Sequence, residues 1–236
     1  MFLDVDGTLL EFGPTPDAVH VDAALLQLLH RIAATCHGAV ALISGRSLQQ
    51  LDRLFPARDW PVAGLHGAER RDAQGRIHRH SGHQPIPAVI RDALAQLVAQ
   101  HPGTLLEEKG AAIALHYRLA EATIAQHLRH QLDELVRLHG KGDLVLQPGA
   151  CVFEIKPAGV TKANAIEAFL TEPPFAGRRP LFAGDDLTDL HGFEAVERHG
   201  GVSIAVGPRV SAMINVASPA ELRALLLDFV GHAVPA

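Results

Sequence analysis

Cysteine is nearly absent from the 236 residues: Cys36 and Cys151 stand alone, too few for a disulfide framework and without the C-x-x-C spacing of a zinc site. Both are expected to be reduced thiols in the core. Long basic runs are also missing. With 21 basic against 26 acidic side chains and a formal charge of −5, the chain lacks the electrostatic footprint of a nucleic-acid binder. No apolar run approaches the roughly 18 residues of a membrane span. Met1-Phe2-Leu3-Asp4 has neither the basic start nor the apolar stretch of a signal peptide. A cytoplasmic protein with no nucleic-acid or membrane partner is therefore expected, and a monomer is taken as its state. The sequence contains no H-E-x-x-H helix, Walker loop, G-x-S-x-G elbow or G-x-G-x-x-G fingerprint, which removes the best-known zinc, nucleotide and serine-hydrolase sites. What remains is an ordinary globular balance, 47% hydrophobic and 20% charged, enough for one large domain or two small ones.

Several short apolar runs end in a polar or glycine cluster: Phe2-Leu3 before Asp4, Val40-Ala41-Leu42-Ile43 before Ser44, and Leu181-Phe182-Ala183 before Gly184-Asp185-Asp186. Such runs suit strands buried on both faces, as in parallel sheets. Stretches with helical spacing lie between them, among them Leu25, Leu28, Leu29 and Ile32, and Ala163 to Leu170. The alternation predicts an α/β fold built on a parallel sheet. Ligands of such sheets bind beyond the carboxyl ends of the strands, where Asp4, Ser44 and Asp185 all fall. The middle of the chain reads differently. A helix is expected from about Ile86 to Gln100, then strands at Thr104 to Lys109 and Ala112 to Arg118. A second helix at Glu121 to Leu138 and strands at Leu144 to Gln147 and Cys151 to Lys156 follow. This αββαββ unit interrupts the βαβ series, with edges near residues 84 and 156.

Asp4-Val5-Asp6-Gly7-Thr8 follows the first apolar run, and residues two apart on a strand point to one side, so both carboxylates are expected to face one spot. Gly7 permits a sharp turn after them. Gly184-Asp185-Asp186-Leu187-Thr188-Asp189 brings more carboxylates to a second strand end. These groups would repel one another without a cation, and magnesium takes oxygen ligands of this kind while keeping waters and a substrate phosphate. Taken alone, either cluster also fits an acidic turn or a solvated helix start. The hydroxyl of Ser44, the backbone N–H groups of Gly45 and Arg46 and the ammonium of Lys162 suit the oxygens of a phosphoryl group in its transition state.

The order Asp-x-Asp-Gly-Thr, strand-end Ser44, Lys162 and Gly-Asp-Asp-x-x-Asp resembles the haloacid dehalogenase-like phosphohydrolases over nearly the whole chain. Five more specific strings are similar to those of the trehalose-6-phosphate phosphatase family: Gly64-Leu65-His66-Gly67-Ala68-Glu69, Glu108-Lys109-Gly110, His116-Tyr117-Arg118, Glu154-Ile155-Lys156-Pro157 and Gly184 to Asp189. The resemblance implies a Rossmann-like hydrolase core, residues 1–83 and 157–236, with residues 84–156 as an inserted α+β cap. It also implies magnesium-dependent hydrolysis of a small sugar phosphate, trehalose 6-phosphate, through an aspartyl phosphate. Asp4 would be the nucleophile and a metal ligand. Asp6 would serve as acid and then base, with its backbone carbonyl on the metal. Ser44 would hold a phosphoryl oxygen, Lys162 would offset negative charge, and Asp185 would ligate the metal with support from Asp186 and Asp189. Lys109, Arg118, Glu154 and Lys156 of the cap, and Gly45, Arg46, His66 and Gly67 of the core, would contact substrate. A phosphatase of the same fold acting on another sugar phosphate, such as that of sucrose or mannosyl-glycerate, and a non-catalytic sugar-phosphate sensor are the alternatives. The chain departs from the family at Ala163, where glycine is frequent, and at Leu190, where an acid is frequent. The first strand looks clipped, which leaves two readings, a trimmed start or a short strand. His78-Arg79-His80-Ser81-Gly82-His83 is expected to be a solvated hairpin rather than a metal site.

Overall fold

The computed structural model describes residues 1–13, 18–56, 60–79, 85–110, 112–121 and 123–232. The chain divides into two compact units, Met1–Arg79 with Thr161–Ala236 and His80–Val160. An edge expected at residues 83 and 84 lies outside the described residues.

The first unit is built on a sheet of eight strands among the described residues: β1 (Phe2–Leu3), β2 (Ala41–Ile43), β3 (Val62–Gly64), β4 (Glu69–Arg71), β5 (Ile77–Arg79), and then β10 (Leu181–Gly184), β11 (Val202–Val206) and β12 (Ile214–Val216). Their spatial order is β12-β11-β10-β1-β2-β3-β4-β5. Pairing is parallel from β12 to β3, and β4 and β5 extend the sheet antiparallel. Successive strand residues point to opposite faces, and here both faces are apolar. Leu3, Leu42, Val62 and Ile204 join one core cluster with helices α1 (Ala23–Thr35), α2 (Leu48–Leu54) and α7 (Pro219–His232). Phe2, Ala41, Ile43, Ala63 and Phe182 join another with α5 (Lys162–Leu170) and α6 (Leu190–Arg198). The unbroken apolar runs in the sequence are the consequence of this double coverage.

Helix starts follow local chemistry. The Asp22 carboxylate accepts from Leu25 N at the head of α1, and Thr161 with Asn164 forms a reciprocal cap at the head of α5, satisfying orphan N–H groups. The α5 cap sets Lys162 in the first turn of its helix.

The second unit is a four-stranded antiparallel sheet of β6 (Leu105–Glu108), β7 (Ile113–His116), β8 (Leu144–Gly149) and β9 (Val152–Pro157) in the order β6-β7-β9-β8. Helices α3 (Ala88–Gln100) and α4 (Ile124–His139) cover one face. Ile90, Leu94, Leu128 and Leu132 from the helices pack there on Ile113, Leu115, Phe153 and Ile155. Glu154 and Lys156 therefore lie on the other face, as alternation predicts.

Two expectations need correction or narrowing. Cys36 packs, partly buried, against both core clusters of the first unit, whereas Cys151 joins none of the clusters among the described residues. Both are free thiols at intermediate burial; Cys36 caps the end of α1, and Cys151 occupies the β8–β9 turn with φ 60°. Of the histidine run, His78 is bonded to Asp72 at 2.8 Å, and His80 to His83 lie outside the described residues. Among the described residues no helix is long and apolar enough to cross a membrane.

Candidate active site

Asp4 directly follows β1, Asp185 directly follows β10 and Ser44 directly follows β2, so three neighbouring strands deliver their next residues to one edge of the sheet. Lys162 joins them from α5. Its Nζ donates to Asp4 Oδ1 at 2.7 Å and to Asp189 Oδ1 at 2.6 Å. Asp189 Oδ2 accepts from the backbone N of Asp185 and of Asp186, both at 3.0 Å. One carboxylate thus clamps the turn after β10 and the lysine together. All of these side chains are buried, Asp189 completely.

Glycines make the close approach possible. A Cβ on Gly7, whose φ is +83°, would lie 2.3 Å from Asp185 Oδ2, and one on Gly184 would lie 2.4 Å from Asp189 Cγ. Either atom would displace a carboxylate of the cluster.

The electrostatics of this centre are unbalanced. One oxygen from each of Asp4, Asp185 and Asp189 lies within 4.8 Å of the others, three carboxylates against one ammonium. Burial pushes the Asp4 carboxyl well above the usual range; Lys162 opposes the shift while Asp189 and Asp185 add to it. Burial, followed by the Asp189 charge, raises Asp185 to about 7. Burial alone would lower Lys162, yet Asp189 and Asp4 outweigh it and hold the ammonium protonated well above its ordinary value. A buried cluster of oxygen donors with surplus negative charge fits a small hard cation such as magnesium.

Asp6 and Asp186 stand outside this cluster. β1 ends at Leu3, so strand alternation does not govern Asp6, which instead bridges to Leu10. Its two carboxylate oxygens accept from Arg46 Nε at 2.7 Å and Nη2 at 2.6 Å. Asp186 accepts from Leu187 N and pairs with Arg209 at 2.9 Å. Ser44 Oγ accepts from Arg46 N at 3.1 Å, which folds residues 44–46 into a tight turn.

His66 and Gly67 belong to an unusual segment. Leu65, His66 and Gly67 have φ of 51°, 56° and 105°, the left-handed region that costs non-glycine residues about 1–3 kcal/mol each. Leu65 N donates to Arg46 O and His66 N to Ser44 O, so this turn is tied directly to the Ser44 loop. The His66 ring packs on Gly45, where a Cβ would lie 2.8 Å from it. Backbone of this kind persists at functional sites because its surroundings over-determine it.

The remaining expected residues belong to the second unit. Lys109 Nζ donates to Glu154 Oε2 at 2.9 Å, Arg118 Nη2 to Ala150 O at 3.0 Å, and Lys156 Nζ to Val160 O at 2.7 Å. Sequence reasoning passed over Thr8, which is fully buried. Its hydroxyl lies 3.0 Å from Asp4 Oδ2 and 3.1 Å from Asp185 Oδ1, joining the two strand-end carboxylates. It was readable only as the last letter of Asp-x-Asp-Gly-Thr. Glu69 was also missed as a support; its carboxylate accepts from Leu48 N at 2.7 Å and anchors the segment after Ser44.

Comparison with known proteins agrees with this geometry. The family model for trehalose-phosphatase matches residues 2–221. A trehalose-6-phosphate phosphatase of Escherichia coli is 47% identical over 215 residues, covering 87% of this chain and 76% of the relative. A probable trehalose-phosphate phosphatase of Sinorhizobium fredii is 44% identical over 225 residues, 95% of this chain and 84% of the relative. Among solved structures, a trehalose-6-phosphate phosphatase related protein superposes with a TM-score of 0.77 at 27% identity, covering 98% and 96% of the two chains. The C-terminal domain of the C. albicans trehalose-6-phosphate phosphatase reaches a TM-score of 0.86 at 20% identity, over 98% and 91%, and speaks for the fold alone.

Proposed function

The chain is a phosphatase that belongs to the trehalose-phosphatase family, and from that premise we propose that it hydrolyses trehalose 6-phosphate to trehalose and phosphate by way of Asp4. The observation that carries the chemistry is the buried Asp4–Lys162–Asp189 chain with Asp185 beside it. Asp4 attacks phosphorus and displaces the sugar oxygen, which takes a proton from Asp6. In the second half-reaction Asp6 draws the proton from a water, the water attacks the aspartyl phosphate, and phosphate leaves with Asp4 restored. Splitting the displacement in this way suits a reaction whose uncatalysed rate is among the slowest known.

Each neighbour has a defined part. Lys162, fixed by Asp189, offsets charge on the nucleophile and the phosphoryl oxygens. Ser44 Oγ and the N–H groups of its loop hold one of those oxygens. Magnesium held by Asp4, Asp185 and the Asp6 carbonyl would supply the charge that lets two anions meet. Asp6 has both oxygens engaged by Arg46, and a carboxylate bound in this way cannot deliver a proton. We assign Arg46 a second partner, the substrate phosphate, whose arrival opens the pair and releases Asp6. The second unit, read as a cap, contributes Lys109, Arg118, Glu154 and Lys156 to the sugar.

The test is phosphate release from a panel of sugar phosphates, with magnesium and then with excess chelator, for the native chain and for Asp4→Asn. Trehalose 6-phosphate should stand well above the panel, chelation should stop the reaction, and folded Asp4→Asn should be inactive. Preference for another sugar phosphate would overturn the substrate, and near-native activity of Asp4→Asn would overturn the nucleophile.

A further inference from the structure

A fourth strand end reaches the same edge of the large sheet and carries a cation to which the phosphoryl chemistry gives no part. β11 runs parallel to β10, with Ala205 opposite Gly184, so the loop after Val206 leaves the sheet on the side of Asp185 and Asp186. The loop is pinned on both sides of Arg209. Gly207, with φ 74°, donates its N–H to Val216 O at 2.8 Å, and Val210 is buried in the core cluster of Phe182 and Phe193. Between these anchors the Arg209 guanidinium lies 2.9 Å from Asp186 Oδ1, the oxygen that also accepts from Leu187 N at 2.7 Å.

Charge gives a reason for a cation at this place. The ends of β1 and β10 bring four acids together, Asp4, Asp185, Asp186 and Asp189. Two bases answer them: Lys162, bonded to Asp4 and Asp189, and Arg209, paired with Asp186. Asp6 and Arg46 balance each other. Metal ligands act in their deprotonated form. With all four acids ionised the group carries two surplus negative charges, which a divalent cation brings to zero. Without Arg209 the loaded centre would keep one negative charge while facing a phosphate ester, itself an anion. The Arg209–Asp186 pair is also a poor strut. Its side chains are 36% and 15% exposed, and a pair so open to water adds little to stability, whereas its field extends over a screening length of about 10 Å.

We propose that Arg209 is a positioning residue that holds Asp186 at the cap of Leu187 and, through its charge, divides the affinity of the centre between cation and anion: it loosens the hold on magnesium and tightens the hold on the phosphate ester. The proposal rests on the reading of this centre as a magnesium-dependent phosphatase site. A positive charge raises the energy of a nearby cation and lowers that of a nearby anion, so one residue moves the two ligands in opposite directions. Packing cannot do this, because a loop loosened by substitution would weaken both ligands together. The effect is also blind to the sugar, since it acts on the phosphoryl charge that every monoester carries.

The test is a charge series, Arg209→Lys, Arg209→Ala and Arg209→Glu, at an exposed loop residue. Magnesium binding is measured by calorimetry on the metal-free protein, and kcat and KM are measured at saturating magnesium on trehalose 6-phosphate and on a small aryl phosphate. Arg209→Ala is expected to lower the magnesium dissociation constant about fivefold and to raise KM about fivefold on both substrates, the scale of one partly screened charge, with kcat little changed. Arg209→Glu should carry both shifts further in the same directions, and Arg209→Lys should stay close to the native chain. Both shifts should shrink in about 1 M salt, where the screening length falls to about 3 Å. A native chain that binds magnesium, with a dissociation constant that stays level along the series, overturns the role of Arg209 alone. Weakening of magnesium and ester together also overturns it, since that would mark a disturbed loop. A native chain that binds no magnesium overturns the metal reading, and the proposal with it.

Discussion

Asp185 is held where its own charge is unwelcome. Its carboxyl is raised by burial, and then by Asp189, to about 7, against about 3.9 in an unfolded chain. The folded state therefore keeps a proton that the unfolded state has already lost, and stability falls as pH rises from about 4 towards 7. Asp185→Asn removes that loss while keeping an oxygen to accept from Thr8. In chelator-treated protein the variant should melt above the native chain at pH 7.5 and level with it near pH 4. Magnesium should raise the native melting temperature, because a ligand bound only by the folded state stabilises it, and should raise that of the variant much less. Thermal melts at the two pH values, with and without magnesium, check this directly. A variant less stable than the native chain at pH 7.5 without metal would mean that the cluster is not strained by its own charge.

At the scale of elements, the β4–β5 hairpin shows the opposite sign. Asp72 begins its turn, fully buried as a side chain. It accepts from the backbone N of Gln74 and Arg76, from Arg76 Nε and from His78 Nε2, all at 2.8 or 2.9 Å. Burial alone would raise this carboxyl, but the bonds from His78 and Arg76 hold it well below the usual range. Such a group stabilises the fold above about pH 4 and loses that contribution as pH falls further. Asp72→Asn should lower the melting temperature by about 2–4 °C at pH 7, the shift per kcal/mol for a chain of this size, and the gap should close below pH 4. An equal gap at pH 3 and pH 7 would remove the charge from the explanation. Elements of this kind also show what the sequence made legible. The β2 and β10 strands and the αββαββ unit were readable because burial on one or both faces leaves a period or an unbroken run in the apolar residues. The left-handed turn at Leu65 and His66 was not, because neither residue type signals positive φ and the turn is imposed by bonds to Ser44 and Arg46.

Over the whole molecule, the proposed catalytic groups and the expected cap contacts to the sugar are divided between two units with separate hydrophobic cores. Asp4, Ser44 and Asp185 follow strands of a sheet filled from both sides and Lys162 opens a helix packed on that sheet, while Lys109 and Glu154 depend on a single-sided core beneath α3 and α4. Leu128 of α4 is fully buried there beside Leu132, Ile90 and Phe153. Replacing it by alanine removes apolar area and leaves a cavity, a change that costs about 2–5 kcal/mol at such sites. Because the second core shares no residue with the others, the cost should fall on the second unit. Leu128→Ala should therefore show faster hydrogen exchange across α3, α4 and β6 to β9, with β1, β2, β10 and β11 protected as in the native chain. Hydrolysis of trehalose 6-phosphate should drop more than tenfold relative to that of a small aryl phosphate, since about 1.4 kcal/mol is already a factor of ten. Uniform exchange through both units would mean that the chain unfolds as one cooperative body, and equal losses on the two substrates would mean that the second unit serves the phosphoryl chemistry and not the choice of sugar.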